Sequence, residues 1–400
     1  MSDPNMITSG LKRGHSRGSD DSPRPDFAKR AKTLPDWNGD DRERHHVDYI
    51  VGWICALHIE LAASRAMLDR QHRDLVKIAN NPNEYVLGNI GGHNVVVACL
   101  PSGQYGTNNA AIVASNMRSS FPSNRVGLMV GIGGGVPGDG FDIRLGDVVA
   151  GTTVIQYDLG KILPSERVQR TATPRVAPHD LLNAVSKLRA LHESKPSVVP
   201  SIFQEMLHRN PMMAQEYAYP THCEDRLFNT TYDHGNLADC KHCDPSKIQP
   251  RIRRQNNHPS IHYGSVASGN QVVKDGRTRD NLAQELGVVC FEMEAAGLVD
   301  QFPCMKVRGI YDYADSHKNK QWQRYAAATA AAYTKELLST MAPSKVKAML
   351  AADVRESKTY DMQQKLQDRR AGLLELLRFE QLDSRHTSIK AAHRKRQRNL

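Results

Sequence analysis

DYIVGWICALHIELAA, residues 48–63, is the stretch that decides the fold, because it joins an apolar run directly to a helical pattern. The run at residues 50–57 is typical of a strand buried on both faces, and a helix is predicted to begin near Glu60. A buried strand followed at once by a helix is one β/α unit. Repeated units of this kind build sheets that are covered by helices.

The same alternation continues on the C-terminal side of this unit. Residues 86–90 and 94–100 predict a hairpin across Gly91 and Gly92, and residues 126–132 predict a buried strand that ends at three glycines. Further strands and helices are predicted at residues 109–117, 147–155, 261–269, 288–298, 305–311 and 321–341. The sequence therefore predicts an α/β fold, a three-layer αβα arrangement with a central mixed sheet and with ligands at the strand ends.

Composition separates the ends of the chain from its body. Residues 1–46 are rich in Ser, Asp, Pro and Arg, and they are predicted to be a disordered polar segment because they offer little apolar surface for burial. Residues 47–342 carry the α/β pattern. An inserted helical and loop segment interrupts it at about 160–258, with helices near 179–192 and 201–209.

The C-terminal residues 343–400 are predicted to form a basic amphipathic helical tail, in which Leu366, Leu373 and Leu377 recur at helical spacing. A partner-binding helix and a solvated terminal helix are the alternatives.

The net charge of +10 divides into +1 over residues 1–46, +2 over 47–342 and +7 over the tail. A nucleic-acid-binding domain carries its Lys and Arg on the folded body, so nucleic acid is not expected as the main partner.

Cysteine usage and the N-terminus bear on location. Seven cysteines, an odd number in a long chain, do not suggest a disulfide framework, so a reducing compartment is predicted. No run reaches the roughly 18 apolar residues of a membrane helix, and the N-terminus lacks a signal peptide. A cytoplasmic protein without a membrane partner is predicted. The nucleus is the alternative, because Lys12-Arg13 and Lys29-Arg30-Ala31-Lys32 fit a split import signal.

One C-x-x-C pair, Cys240 and Cys243, lies in the insertion, with His222, Cys223 and His234 nearby. Thiolate and imidazole suit zinc, but the sequence lacks the second close pair that is typical of zinc modules. A structural loop is therefore predicted here, with bound zinc as the alternative.

Acidic residues follow three of the predicted strands: Glu60, the pair Glu292 and Glu294, and the pair Asp312 and Asp315. Carboxylates are almost never buried unless they are paired or functional, so these positions are candidates for chemistry. Any one of them alone would be better explained as a helix cap or an ion-pair partner.

Five motifs in order resemble the nucleoside phosphorylase and methylthioadenosine nucleosidase superfamily across nearly all of residues 48–342. They are the opening strand with Glu60, VGIGGG at 130–135 with RLGDVV at 144–149, ASGN at 267–270, EMEAA at 292–296 and IYDYAD at 310–315. Each motif alone is weak, whereas all five in sequence are specific. The resemblance implies that residues 47–342 form a nucleoside phosphorylase-like catalytic domain.

The resemblance implies cleavage of the bond between a purine and ribose, which leaves positive charge on the sugar and negative charge on the base. Asp312 would donate a proton to the base. Glu294 would accept hydrogen bonds from the ribose hydroxyls, Met293 would pack under the sugar, and Glu292 belongs to the same ribose motif. The resemblance implies no metal and no cofactor.

The group that attacks the sugar distinguishes the two reactions of this superfamily. In the nucleosidases a glutamate after the first strand activates water, and Glu60 stands at the matching position. The phosphorylases grip phosphate with arginines, a glycine loop and a hydroxyl side chain, and Ile132 stands where that hydroxyl would be. Hydrolysis is therefore preferred. Phosphorolysis is the alternative, because the backbone amides of Gly133 and Gly134 could bind phosphate.

Ser268, Asn270 and Val272 are predicted to line the base pocket. Related nucleosidases often place an aromatic residue where Val272 stands, so Tyr311 or Tyr263 is left to stack on the base. The amide of Asn270 suits either purine edge, so the choice between adenine and guanine or hypoxanthine stays open.

Residues 291–297, 312–323 and 377–383 resemble most closely the N-terminal phosphorylase-like domains of fungal NACHT-type (NOD-like receptor) proteins. A nucleotide-binding module follows there, whereas this chain ends at Leu400 without a G-x-x-x-x-G-K-S/T loop, so we expect a short relative or a truncated gene product. The resemblance implies adenosine, inosine, AMP or ATP as substrate in a defence response, water or phosphate as co-substrate, and a homo-oligomer. A catalytically silent sensor or interaction module is the alternative.

Overall fold

The fold was analysed in a computed structural model, which describes residues 43–138, 140–164, 168–235, 240–318 and 320–397. The strands are β1 Val51–Cys55, β2 Arg70–Gln71, β3 Tyr85–Ile90, β4 His93–Cys99, β5 Val126–Gly135, β6 Val148–Gln156, β7 Gly160–Ile162, β8 Val168–Arg170, β9 Arg175–Val176, β10 Ile261–Ser268, β11 Val288–Glu292 and β12 Cys304–Asp312. The central sheet has the order β11-β10-β6-β12-β5-β1-β4-β3-β2, and β9 pairs with β6. Parallel and antiparallel pairs both occur, since β12 is parallel to β5 and antiparallel to β6.

Helices cover both faces of this sheet. They are α1 His58–Met67, α2 Thr107–Ser120, α3 His179–His192, α4 Val199–Arg209, α5 Pro211–Tyr217, α6 Gly276–Leu286, α7 Ala295–Leu298, α8 Gln323–Ser339 and α9 Pro343–Gln397. Residues of α1, α3, α4 and α8 share one hydrophobic cluster, whereas α2 and α7 contribute to another. The predicted three-layer α/β fold with a central mixed sheet is confirmed.

Strand β1 shows why both faces are covered. All five of its residues are buried, as predicted for a strand with an apolar run rather than an alternating pattern. Trp53 and Cys55 pack in the cluster that includes α1, while Ile54 between them packs in the cluster that includes α2. Successive side chains of a strand point to opposite faces, so one apolar run supplies both layers.

The buried strand predicted at residues 126–132 is found, but it is longer than predicted, because the three glycines at its end belong to the strand and not to a loop. Strand β5 continues to Gly135, where Gly134 pairs with Asp312 of β12 and with Phe291 of β11. A Cβ atom at Gly133 would lie 2.7 Å from the Cys290 Sγ atom. The glycines therefore let β11 approach β5 closely, which a side chain would prevent.

The inserted segment builds part of the main core. Strands β7 and β8 form a separate antiparallel pair, and β9 extends the sheet beside β6. Helices α3 and α4 place Leu188 and Phe203 in the same cluster as α8. The helices predicted near 179–192 and 201–209 are confirmed, and they form part of one helical layer.

A single long helix, α9, follows the sheet domain. Its side chains Leu366 and Leu373 are exposed, at 58% and 62% of their full surface, and the Leu377 side chain lies outside the described residues. The predicted disordered segment and import signal lie outside the described residues as well, apart from residues 43–46. Within the described part of the chain, no helix has the length and apolar character needed to cross a membrane.

Candidate active site

A fully buried arginine, Arg308 of β12, stands at the centre of the predicted carboxylates. Its Nη2 atom donates a short hydrogen bond to Glu292 and lies 4.0 Å from Glu294 Oε2. The Arg308 charge also lowers the pKa of Glu60, so that carboxylate is within electrostatic range. Three predicted site residues therefore surround one cation in the interior.

Glu60 lies in the first turn of α1, and its carboxylate joins that helix to β5. Its Oε2 atom accepts hydrogen bonds from the amides of Ala56 and Leu57 at 2.8 and 2.9 Å. Its Oε1 atom accepts one from the Ile132 amide at 2.8 Å. Burial raises the pKa of Glu60, opposed by Arg308 and by these amides. Three of about four acceptor positions are used, so roughly one is left for a ligand.

The site raises the pKa of the Glu294 carboxylate. Burial and the neighbouring charge of Glu292 raise its pKa from 4.5 to about 7, opposed by Arg308. Its own contacts are loose, since the Met293 amide donates to Oε2 at 3.3 Å and Arg308 is 4.0 Å away. Met293 is half-buried beside it. A buried carboxylate with weak protein contacts is well suited to accept hydrogen bonds from a ligand.

Glu292 and Ser268 hold the start of α7 in place. Glu292 Oε2 accepts hydrogen bonds from the amides of Glu294 and Ala295 at 3.1 and 3.0 Å. Ser268 Oγ accepts one from the Ala296 amide at 2.9 Å. Both side chains satisfy amides that have no partner within the helix, so they position the backbone of Glu294.

Asp312 ends β12 and is 2% exposed. Its Oδ1 atom accepts a hydrogen bond from the Ala314 amide at 2.9 Å, and Lys318 Nζ lies 2.5 Å from its Oδ2 atom. Ala314 has a φ angle of 50°, a left-handed conformation that costs a non-glycine residue about 1 kcal/mol. A Cβ atom at Gly134 would lie 2.7 Å from Asp312 Oδ1, so that glycine makes room for the acid.

The two tyrosines left as stacking candidates have different surroundings. Tyr311 lies next to Asp312, and its pKa is raised by burial and by the charges of Asp312, Glu294 and Glu60. Tyr263 instead has the guanidinium of Arg189 4.8 Å above its ring, and its pKa is raised by burial and, to a lesser degree, by Glu336 of α8. Only Tyr311 of this pair belongs to the carboxylate cluster.

The predicted base-pocket residues after β10 make other contacts. Asn270 Oδ1 accepts hydrogen bonds from the backbone amide and the hydroxyl of Thr107, both at 3.1 Å. The backbone amide of Asn270 donates to Asp158 Oδ2 at 2.7 Å. Its side chain thus joins the loop after β10 to the start of α2. Val272 is 49% exposed. Nothing in these contacts marks either residue as a reader of the base.

Arg308 and Lys318 are the residues that sequence reasoning missed as members of this cluster. A signal for Arg308 was present, because a charged residue within the apolar run 304–312 requires a buried partner. Lys318 lies six residues after Asp312, outside the five motifs. Its ion pair depends on the turn after β12, which spacing does not reveal.

Residues 51–339 match the model of the phosphorylase superfamily. The chain belongs to this superfamily. The family resemblance carried by the five motifs is thereby confirmed. The match covers the sheet, the carboxylate cluster and α8, and it stops before α9.

Two kinds of relative share this phosphorylase-superfamily region. A nucleotide-binding leucine-rich repeat (NLR)-like protein of Hyaloscypha variabilis is 43% identical over 307 residues, which are 75% of this chain and 30% of that protein. The chain thus spans less than a third of that relative. The 5'-methylthioadenosine/S-adenosylhomocysteine nucleosidase of Mycobacterium bovis is 24% identical over 297 residues, 72% of this chain and 95% of that enzyme.

Solved structures similar to this superfamily member include a 5'-methylthioadenosine/S-adenosylhomocysteine nucleosidase from Neisseria meningitidis. It is 17% identical, with a TM-score of 0.48, and the match covers 73% of this chain and 99% of that one. Futalosine hydrolase of Helicobacter pylori is 16% identical, with a TM-score of 0.47 and coverage of 74% and 100%.

Proposed function

We propose that this protein hydrolyses the N-glycosidic bond of purine nucleosides or nucleotides. In this proposal Asp312 protonates the departing base, Glu294 binds the ribose hydroxyls and Glu60 activates the attacking water. Membership of the phosphorylase superfamily and the similarity to an adenosine-type nucleosidase support the reaction class.

The observation that carries hydrolysis over phosphorolysis is the charge balance of the buried cluster. Glu60, Glu292 and Glu294 surround the single guanidinium of Arg308, which is already bound to Glu292. Phosphate sites are lined by surplus positive charge or by converging amides, because the ligand is an anion. Three carboxylates around one arginine disfavour an anion and tolerate a neutral water.

In the proposed reaction, water replaces the purine on the anomeric carbon of the ribose. Glu60 accepts a proton from water while the water oxygen bonds to the anomeric carbon of the ribose. The carbon–nitrogen bond breaks, its electron pair goes to the purine, and Asp312 supplies the proton that makes the base neutral. Positive charge that develops on the sugar is stabilised by the Glu294 carboxylate, which accepts hydrogen bonds from the ribose hydroxyls. The products are the free base and ribose, or ribose phosphate from a nucleotide.

The ion pair between Lys318 and Asp312 adds a requirement to this mechanism. A general acid must carry a proton at the moment of bond cleavage, whereas Asp312 is paired with the Lys318 ammonium group 2.5 Å away. We infer that the Lys318 side chain, which is 20% exposed, moves away from Asp312 when the base enters, or passes its own proton to it.

The proposed substrate is a purine nucleoside, and the candidates differ mainly in the substituent at the 5' position. Adenosine, inosine, AMP and ATP are the candidates, and the name of the mycobacterial relative adds 5'-thio-substituted adenosines. The NLR-like relative supports a signalling context, in which this domain would act when a larger protein is activated.

Chromatography of reactions with adenosine, 5'-methylthioadenosine, inosine, AMP and ATP, each with and without phosphate, tests the proposal. Free base released without phosphate is the expected result. Base release that requires phosphate and yields ribose 1-phosphate would identify a phosphorylase instead. Binding of a nucleoside by calorimetry without any base release would favour the silent sensor. Glu60→Gln serves as the matched variant, because it keeps the shape of the side chain and removes the proposed base.

A further inference from the structure

A second cluster of reactive side chains lies outside the carboxylate site, in the loop region of the inserted segment. One nitrogen of His234 and the Sγ atoms of Cys240 and Cys243 all lie within 4.8 Å of one another. We propose that His234, Cys240 and Cys243 together bind one zinc ion.

The donor set fits zinc in particular. Thiolate and imidazole are its preferred ligands, and zinc–sulfur and zinc–nitrogen bonds of about 2.3 and 2.0 Å place the donors of one tetrahedral ion about 3.3–3.8 Å apart. The three donor atoms lie within 4.8 Å of one another, so small side-chain rotations would bring them to these distances. Hard cations such as Mg²⁺ and Ca²⁺ take oxygen ligands and would not select this trio. Three protein ligands leave one tetrahedral position for water or for a fourth side chain.

The local backbone presents the two thiols on one short turn. Residues Cys240–His242 form a 3-10 turn, which brings the first and last members of the C-x-x-C pair to the same side. The amide of Asp244 donates to the Tyr232 hydroxyl at 2.9 Å, which fixes the far end of this turn. Cys243 is 3% exposed although it lies in a segment of polar loops. Burial of a thiol there is more than a short polar loop requires.

The trio is attached to the segment that carries the proposed acid. The amide of His234 donates to Ser316 Oγ at 3.0 Å. The ring of the next residue, His317, stacks on Phe228 with centroids 4.1 Å apart and lies 5.3 Å from the His234 ring. A metal ion on the trio would therefore hold the loop against the turn after β12, beside Lys318 and Asp312.

The buried imidazole of His317, beside the trio, is a further indication that this region binds a ligand. The side chain is 3% exposed, and within the described residues neither ring nitrogen has a hydrogen-bond partner. Imidazole is a common metal ligand, so the ring beside His234 is a candidate for the fourth position.

Metal analysis of the full chain tests the zinc site without reference to catalysis. Protein purified in the presence of zinc and then dialysed is expected to retain about one zinc ion per chain. Cys243→Ser and His234→Ala are expected to lower this content about tenfold. Cys223→Ser is the matched control, because Cys223 lies in the same inserted segment but outside the trio. An equal zinc content in Cys243→Ser and the wild type would overturn the proposal.

Cobalt substitution covers the case in which a ligand variant does not fold. Chelated wild-type protein titrated with Co²⁺ should develop thiolate-to-metal absorption and the visible bands of a tetrahedral centre, with an end point of about one ion per chain. Zinc added afterwards should abolish the thiolate-to-metal absorption and the visible bands. Absence of these bands, or a mass that shows a Cys240–Cys243 disulfide in protein prepared with reductant, would exclude the metal site. Because none of these readouts measures base release, they stand apart from the proposed hydrolase activity.

Discussion

A buried arginine controls the ionisation of the site at the scale of single residues. Arg308 is the only described cation in direct contact with Glu292 and Glu294, and its charge opposes the rise in pKa that burial causes in Glu60 and Glu294. Removal of one partner of a buried ion pair leaves an uncompensated charge. In the proposed function, ligand binding and stability therefore depend on the same four side chains.

The raised pKa of Glu294 predicts a pH-dependent cost to stability. The native state binds more protons than the unfolded chain between pH 4.5 and about 7, so the contribution of Glu294 to stability is largest at low pH and falls as pH rises through that window. The full difference is up to about 3 kcal/mol. Glu294→Gln removes this dependence, because the amide stays neutral at every pH.

Denaturant unfolding of wild type and Glu294→Gln at pH values below 4.5 and above 7 measures this effect. The variant should gain stability relative to wild type as pH rises, by up to about 3 kcal/mol. The wild-type kcat/KM should also rise through about pH 7, since a ribose-binding carboxylate must be ionised. A constant difference between the two proteins at all pH values would show that Glu294 ionises normally.

Replacement of the proposed acid separates binding from turnover. Asp312→Asn keeps the shape of the side chain and can still accept the Ala314 hydrogen bond, but it cannot supply a proton. We expect nucleoside affinity to change little while kcat falls about 10²–10⁴-fold, the usual contribution of a general acid. Calorimetric binding and single-turnover base release measure the two quantities.

Asp142→Asn is the control for this variant, because Asp142 is half-exposed and pairs with Arg144 and Arg254 rather than with a residue of the carboxylate cluster. It should retain wild-type turnover. Unchanged kcat in Asp312→Asn would remove Asp312 from the mechanism, and the acid would then have to be sought among other groups near the base.

The candidate carboxylates were predictable from sequence, whereas their partners were not. Glu60, Glu294 and Asp312 each follow a recognisable strand, and short motifs around them carry the family resemblance. Arg308 and Lys318 act through contacts across the sheet and across a turn. Such contacts depend on the register of β12 and on the path of the chain after it, which local patterns do not encode.

At the scale of elements, the glycine-rich end of β5 joins two parts of the sheet. Its last residues pair with β12 on one side and antiparallel with β11 on the other. Strands β12 and β11, which carry Asp312 and Glu292, therefore both pair with the end of β5. In the sequence, the run of three glycines suggested a loop. Glycines are typical of tight turns, but they also occur where two strands approach each other closely.

Gly134→Ala tests whether this close contact supports the acid. The added Cβ would lie 2.7 Å from Asp312 Oδ1 and 2.9 Å from the Ala314 Cβ, so Asp312 must move. We expect a loss of about 1–3 kcal/mol in stability, typical of overpacking, together with a clear fall in kcat.

Gly138→Ala is the matched control, because a Cβ there would meet nothing within 4 Å. Thermal unfolding and base-release kinetics of both variants make the comparison. Wild-type kcat in Gly134→Ala would mean that the position of Asp312 in the turn is not critical.

Much of the element order was also predictable. The hairpin of β3 and β4, the strand–helix unit of β1 and α1, and helices α3 and α4 all lie where periodicity placed them. These elements have apolar patterns whose period matches their structure. The contribution of α3 and α4 to the main core was not foreseen, because their sequence neighbours are loops and polar residues.

For the whole molecule, the separation between a nearly neutral body and a basic tail argues that α9 is not part of the reaction. The family match ends at residue 339, before α9 begins, and residues 343–400 carry +7 of the net charge. Exposed leucines on this helix, among them Leu366, Leu373 and Leu374, are the kind of surface that a partner helix or a second copy of the chain would cover.

A variant truncated after Ser344 tests whether α9 is dispensable for folding and for the proposed reaction. It keeps the contacts that join the end of the domain to the sheet, such as the hydrogen bond between the His93 ring and the Met341 carbonyl at 3.0 Å. We expect its unfolding free energy to stay within about 0.5 kcal/mol of wild type, as for surface changes, and its kcat to be unchanged. Light scattering of both chains shows whether the tail contributes to self-association. A tenfold fall in kcat with the fold intact would instead place α9 in the active assembly, because nothing else of the domain has been removed.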